Sequence, residues 1–151
     1  MTHVEKINLL LNQVEEKLQH SKVDNSLASN LRENNLKHIA LLYKELELEK
    51  KHPDFSTIFN YKAMNLAGIG LKNEDFGEIR EGKYVQIIAI SYEINNSAKR
   101  IVKNSSLGYY GKAEKLTKEE KSNIIEFVLR WRYEKTFQHS EYYQQLLSKL
   151  H

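Results

Sequence analysis

Three basic side chains, Arg132, Lys135 and His139, recur on one side of a segment with helical spacing. At about 100° per residue, Arg132 and His139 return to nearly the same face, about 10 Å apart along the axis. Such a pair could bind a phosphate and move a proton, which is what cleavage of a phosphodiester by its own 2′-hydroxyl requires. The alternative is structural: cations on the apolar side of a helix need partners, and these can lie at a seam within the fold.

The spacing of Arg132 and His139, with six residues between them, resembles the loose Arg-x(4–6)-His signature of the HEPN ribonucleases. Arg32 and His38 give a second match with five residues between them, although an unbroken helix would point these two side chains to different faces. The resemblance covers only these few residues. It implies a small helical bundle that cleaves RNA as a dimer, with Arg132 and His139 as the catalytic residues.

Basic and aromatic residues concentrate towards the carboxyl end of the chain. Residues 98–151 carry eleven Lys and Arg against six Asp and Glu, a net charge of +5. Tyrosine and tryptophan beside arginine are typical of protein interfaces, and they also stack on single-stranded nucleic acid. A solvated charged face is the alternative interpretation. The predicted contact residues are Arg130, Trp131, Arg132 and Tyr133, with Tyr109 and Tyr110 at the rim.

Other chemistry finds little support in the sequence. The chain has no cysteine, which removes thiolate chemistry and cysteine-ligated metals. Its six histidines are not paired at ligand spacing, and no nucleophile or dinucleotide motif is present. We therefore expect no metal site and no cofactor, and we favour a protein without catalytic activity.

Composition predicts one globular domain over residues 1–151. Hydrophobic residues make up 40 % of the chain and charged residues 28 %, which is too apolar for a disordered protein. There is no apolar run long enough to span a membrane and no signal-peptide pattern at the amino end. The expected location is cytoplasmic, without membrane contact.

Helical signals dominate the first half. Thr2 and Glu5 form a capping-box pattern, Pro53 stops a long apolar-periodic segment, and Asp54 can cap the next one. The first predicted helix has one apolar face, which consists of Ile7, Leu10, Leu11, Val14 and Leu18. Helices are predicted over residues 2–20, about 25–51 and about 54–66, with a turn at Ser21–Asp24 and antiparallel packing of the first two.

The second half contains one ambiguous segment. Tyr84–Ile94 is rich in β-branched residues and fits a strand, but Ile87, Ile90 and Ile94 also fit helical spacing, which favours a helix over about 83–103. Residues 104–115 have the composition of a loop. Thr117 and Glu120 form a second capping box, which predicts a helix to about residue 138 with a possible new segment from Ser140.

Taken together, these patterns predict an all-α fold, a compact single-domain bundle of about five helices. The predicted function is non-catalytic: an interaction protein whose basic, aromatic C-terminal face docks a protein partner, including a second copy of itself. The first alternative is nucleic-acid binding through the same face, and the second is a HEPN-like ribonuclease.

Overall fold

The computed structural model describes the backbone of residues 2–151, and the side chains of these residues except 3, 6, 7, 10 and 13–28. The chain divides into two units, Met1–Asn34 and Asn35–His151. The first unit is the larger part of helix α1 (His3–Glu45). Its predicted capping box is confirmed: the Glu5 amide donates to Thr2 Oγ1 and the Thr2 amide donates to Glu5 Oε2, both at 3.1 Å.

Helix α1 is a single element where the sequence predicted two helices packed antiparallel. Of the predicted apolar stripe, Leu11 is 55 % exposed. The rest of that stripe and the predicted turn lie outside the residues whose side chains are described, namely Ile7, Leu10, Val14, Leu18 and Ser21–Asp24.

The second unit is mixed α/β, so the prediction of an all-α bundle is wrong. Strands β1 (Ala63–Ala67), β2 (Tyr84–Ile94) and β3 (Arg100–Lys112) form an antiparallel sheet in the order β1-β2-β3, and helix α2 (Lys118–Ser148) follows. Short 3-10 helices cover Leu48–Lys50, Phe55–Asn60 and Ala113–Lys115.

The helix predicted over about 83–103 is wrong: Tyr84–Ile94 is strand β2, in which burial alternates, and β3 begins at Arg100. Val85, Ile87 and Ala89 are fully buried, whereas Ile88 and Ile90 on the opposite face are partly exposed. Isoleucine occupies both faces of this strand, so its sequence also satisfies a helical spacing. Long-range pairing with β1 and β3 decides between the two patterns.

The loop predicted over residues 104–115 is mostly strand β3. Ser105 pairs with Ala89 and Asn104 pairs with Ile90, so backbone groups make the ladder and the polar side chains do not prevent it. The turn before β3 is set by Asn95, whose side-chain oxygen accepts from the amides of Ser97 and Lys99 at 3.0 and 2.9 Å.

Asp54 caps an element as predicted, but the element is short. Its side chain accepts from the Ser56 amide at 3.1 Å and begins the 3-10 helix Phe55–Asn60. The chain then enters β1 instead of continuing as a helix to about residue 66. The end of the predicted third helix is therefore strand β1, which ends at Ala67.

Helix α2 is confirmed, including its capping box at Thr117 and Glu120. It runs unbroken through Ser140, where the sequence left a new segment open. One hydrophobic core joins α2, the sheet and the end of α1. Its residues include Ile39 and Tyr43 of α1, Val85, Ile87 and Ala89 of β2, and Ile124, Phe127, Val128 and Trp131 of α2.

Candidate functional site

Trp131, predicted as a central contact residue, belongs to the core of the second unit. It is 1 % exposed, and its indole Nε1 donates to the Ile58 carbonyl at 2.9 Å. A side chain so covered cannot be the centre of a contact face. The helical pattern identified Trp131 as amphipathic but could not say which side of α2 the rest of the chain covers.

Arg132 and Lys135 are partnered by backbone carbonyls, Arg132 by one in strand β1 and Lys135 by one in the 3-10 helix that precedes it. Arg132 donates from Nε and Nη2 to the Met64 carbonyl at 3.1 and 3.0 Å. Lys135 Nζ donates to the Phe59 carbonyl and, at 3.2 Å, to Gln138 Oε1. These contacts explain why cations lie on the side of α2 that faces β1. A carbonyl satisfies hydrogen bonds but leaves the formal charge of each cation uncompensated.

The same side chains line a cleft between β1 and α2, here called the basic cleft, of about 320 Å³. His139 contributes to it, so the structure brings Arg132, Lys135 and His139 together as the helical spacing predicted. Lys62, which the sequence analysis missed, joins them from the residue before β1. The residues that line the cleft include Lys62, Met64, Asn65, Arg132, Lys135 and His139.

Electrostatics in the basic cleft favour negative charge. Burial lowers the pKa of the Lys135 ammonium group from its ordinary value, and the positive charge of Lys62 lowers it further, while Glu134 opposes the shift. None of the four basic residues of the cleft forms an ion pair within the described part of the chain.

Arg130 and Tyr133, two other predicted contact residues, lie on a different side of α2. Arg130 pairs with Glu126 at 2.6 Å and donates to Asn35 Oδ1 at 3.1 Å. With Phe76, they line a groove of about 460 Å³ within the second unit. The structure therefore separates Arg130 and Tyr133 from Arg132, so the predicted residues do not form one contact face.

Tyr109 and Tyr110 are also separated from one another. Tyr109 is 53 % exposed and its ring lies 5.8 Å from that of Tyr84. Tyr110 is partly buried and its hydroxyl donates to the Leu46 carbonyl at 3.2 Å. Adjacent strand residues point to opposite faces of a sheet, so only Tyr109 remains available as a surface residue.

Tyr110 should make folding sensitive to alkaline pH. Burial raises the pKa of its phenol above the usual range, with a smaller contribution from Glu47. The unfolded phenol ionises near pH 10 while the folded one stays protonated, so stability is full below about pH 10 and falls above it. We expect Tyr110→Phe to cost about 1 kcal/mol at pH 7 and to flatten the alkaline decline in urea-unfolding series. An equally steep decline in the variant would contradict this assignment.

The last part of α2 exposes a surface that the sequence analysis did not select. From His139 onwards every residue is exposed. Five large apolar side chains, here called the tail face, are between 39 % and 76 % exposed: Tyr142, Tyr143, Leu146, Leu147 and Leu150. Their helical spacing could be recognised in the sequence, but their exposure to solvent could not.

Among the described residues, no cluster of histidine and carboxylate side chains is arranged to hold a metal ion. The described helices include none with the length and apolar character needed to cross a bilayer.

Comparison of the chain with protein-family models, with curated proteins and with solved structures gives no match. The second unit consists of a three-stranded antiparallel sheet with α2 packed against it. The helical bundle that the HEPN resemblance implies is not the fold of the second unit.

Proposed function

We propose that the protein is a non-catalytic interaction protein that pairs with a second copy of itself through the tail face. The observation that carries this is the exposure of five large apolar side chains, four on the last turns of α2 and the fifth, Leu150, just beyond its end. Isolated exposed leucines are ordinary, whereas a contiguous apolar patch is typical of an interaction site. The cytoplasmic location expected from the sequence is part of the same proposal.

The tail face continues the buried side of α2. Tyr142 follows the fully buried Ile124 by eighteen residues, and Leu146 follows Val128 by the same interval, which is about five helical turns. The two tail residues therefore point in the same direction as the two core residues. The side of α2 that packs on the sheet thus extends beyond its cover, and a second molecule can supply the missing contacts.

The composition of the tail face suits self-pairing. In a two-fold contact, residues near the axis face their own copies, so a charged surface repels itself. The tail face consists only of tyrosine and leucine, so two copies of it do not repel each other. Two copies of the basic cleft would bring positive charges together. The exposed side chains present on the order of 500 Å² per chain. Two copies reach on the order of 1,000 Å², the lower limit for a specific interface.

Light scattering over a concentration series tests this proposal. We expect the full chain to form a dimer and Leu146→Asp to weaken it about 100-fold or more, because each dimer would bury two unpaired carboxylates. Leu41→Asp is the matched control, since Leu41 is a helical leucine that is 66 % exposed outside the tail face. Helical content by circular dichroism should stay unchanged in both variants.

The dependence of association on salt concentration distinguishes this apolar interface from an electrostatic one. Apolar association should persist or strengthen in high salt, whereas association with a polyanion would weaken. A chain that stays monomeric at every concentration, or equal weakening by the Leu41 and Leu146 variants, would rule out pairing through the tail face.

A further inference from the structure

The basic cleft differs from the tail face because its side chains are cationic. It gathers cationic groups from two elements: Lys62 at the start of β1, and Arg132, Lys135 and His139 from successive turns of α2. The residues that line it include no carboxylate in the part of the chain that the structure describes. Elsewhere in this unit cations do have acidic partners, as at Arg130–Glu126 and Lys103–Glu93.

Arg132 is held in position on the wall of the cleft. Its Nε and Nη2 both donate to the Met64 carbonyl, which fixes the plane of the guanidinium group. Nη1 has no hydrogen-bond partner among the described residues. A guanidinium group oriented in this way can donate to an oxyanion without first losing the freedom of a long side chain.

Lys135 and Lys62 place two positive charges close together at the basic cleft. Lys135 is partly buried, and the charge of Lys62 acts on it. An anion between them would relieve both the mutual repulsion and the desolvation of the ammonium group. The cavity of about 320 Å³ is on the order of ten times the volume of a water molecule, about 30 Å³, which leaves room for a phosphate group.

We propose that the basic cleft binds a phosphate group through Lys62, Arg132, Lys135 and His139. The group can belong to a small phosphate compound or to the backbone of a single-stranded nucleic acid, since both offer the same oxyanion. This site is independent of the tail face, because the two surfaces share none of these residues.

Two probes and two variants test the cleft in the full-length protein. The first probe is inorganic phosphate, and its binding is measured by the fluorescence of Trp131, the only tryptophan, which contributes to the cleft wall. The second probe is a labelled single-stranded oligonucleotide, and its binding is measured by fluorescence anisotropy. The variants are Lys62→Glu and Lys118→Glu. Both positions are exposed and both substitutions change the net charge equally, but Lys118 begins α2 far along the helix from the cleft.

We expect Lys62→Glu to weaken binding about tenfold or more and Lys118→Glu to change it less than about twofold. For the oligonucleotide, affinity should fall steeply between about 50 and 200 mM salt, and Lys62→Glu should reduce the salt slope by about one. Binding of both probes supports the shared phosphate chemistry. Binding of the oligonucleotide alone assigns the cleft to a nucleic-acid backbone, and binding of phosphate alone assigns it to a small compound.

Two results would overturn the proposal. The first is that neither probe binds. The second is that the Lys118 variant loses as much affinity as the Lys62 variant, which would show that only the overall charge of the protein matters. Light scattering of Lys62→Glu distinguishes this failure from failure of self-pairing, because removal of Lys62 leaves the tail face intact.

Discussion

Replacing Trp131 with alanine should lower the free energy of unfolding by about 3–5 kcal/mol. The variant removes a large ring that is 1 % exposed, and it leaves the Ile58 carbonyl without its indole donor. For a chain of this length, the loss should appear as a fall of about 10 °C in the midpoint of thermal unfolding followed by circular dichroism.

Two further substitutions identify the cause of this loss. Trp131→Phe keeps an aromatic ring but removes the donor to Ile58, so it should cost clearly less than alanine. Tyr133→Ala removes an aromatic side chain two residues away that is 42 % exposed, and it should cost less than about 1 kcal/mol. If Trp131→Ala and Tyr133→Ala were equally stable, Trp131 could not be a core residue.

Local signals were readable in the sequence. The capping box at Thr117 and Glu120 is complete within four residues, and the structure confirms both of its hydrogen bonds. The same holds for Thr2 and Glu5. In each case the groups that satisfy the first amides of a helix are neighbours along the chain, so their types and spacing suffice to predict the start of the helix.

The sheet was not readable in this way. Its ladder pairs Ala63 with Ile90 and Ile90 with Asn104, and no local pattern specifies those partners. Isoleucines on both faces of β2 produced a helical spacing as well as a strand pattern. The tertiary pairing overrides that local ambiguity, which is the ordinary limit of reading β structure from one sequence.

The candidate site was predicted in part. Cations on the apolar side of α2 were correctly identified as unusual, but their partners are the carbonyls of Phe59 and Met64, about seventy residues earlier. Lys62, the residue before β1, lines the same cleft. Because carbonyls accept these hydrogen bonds regardless of residue type, no sequence signal at those positions could have revealed the pairing.

Helix α2 therefore contributes to two surfaces, the basic cleft and the tail face, and the extent of the sheet along the helix separates them. Where β1 covers it, Trp131 is buried and the cations beside it are directed to the edge of the cleft. Where that cover ends, the same side becomes the apolar tail face. A contact residue is then defined by how far the sheet extends along the helix, and not by the helix sequence alone.

The position of β1 depends on Gly68, and Gly68→Ala should cost about 3 kcal/mol or more. Its φ of 91° is unfavourable for alanine, and a new Cβ would lie 2.8 Å from the Tyr84 carbonyl oxygen and 2.9 Å from Val85 Cγ2. Gly82→Ala is the matched control, because Gly82 has a similar φ of 78° but open space around it. It should cost only about 1–2 kcal/mol.

The difference between the two alanine variants in urea unfolding therefore measures the contact between the chain after β1 and the start of β2. Because β1 carries the Met64 carbonyl that orients Arg132, a displaced strand should also weaken phosphate binding in the cleft. Gly82→Ala should leave that binding unchanged. Equal losses of stability in the two variants would show that backbone conformation alone, and not close packing against β2, fixes the strand beside the cleft.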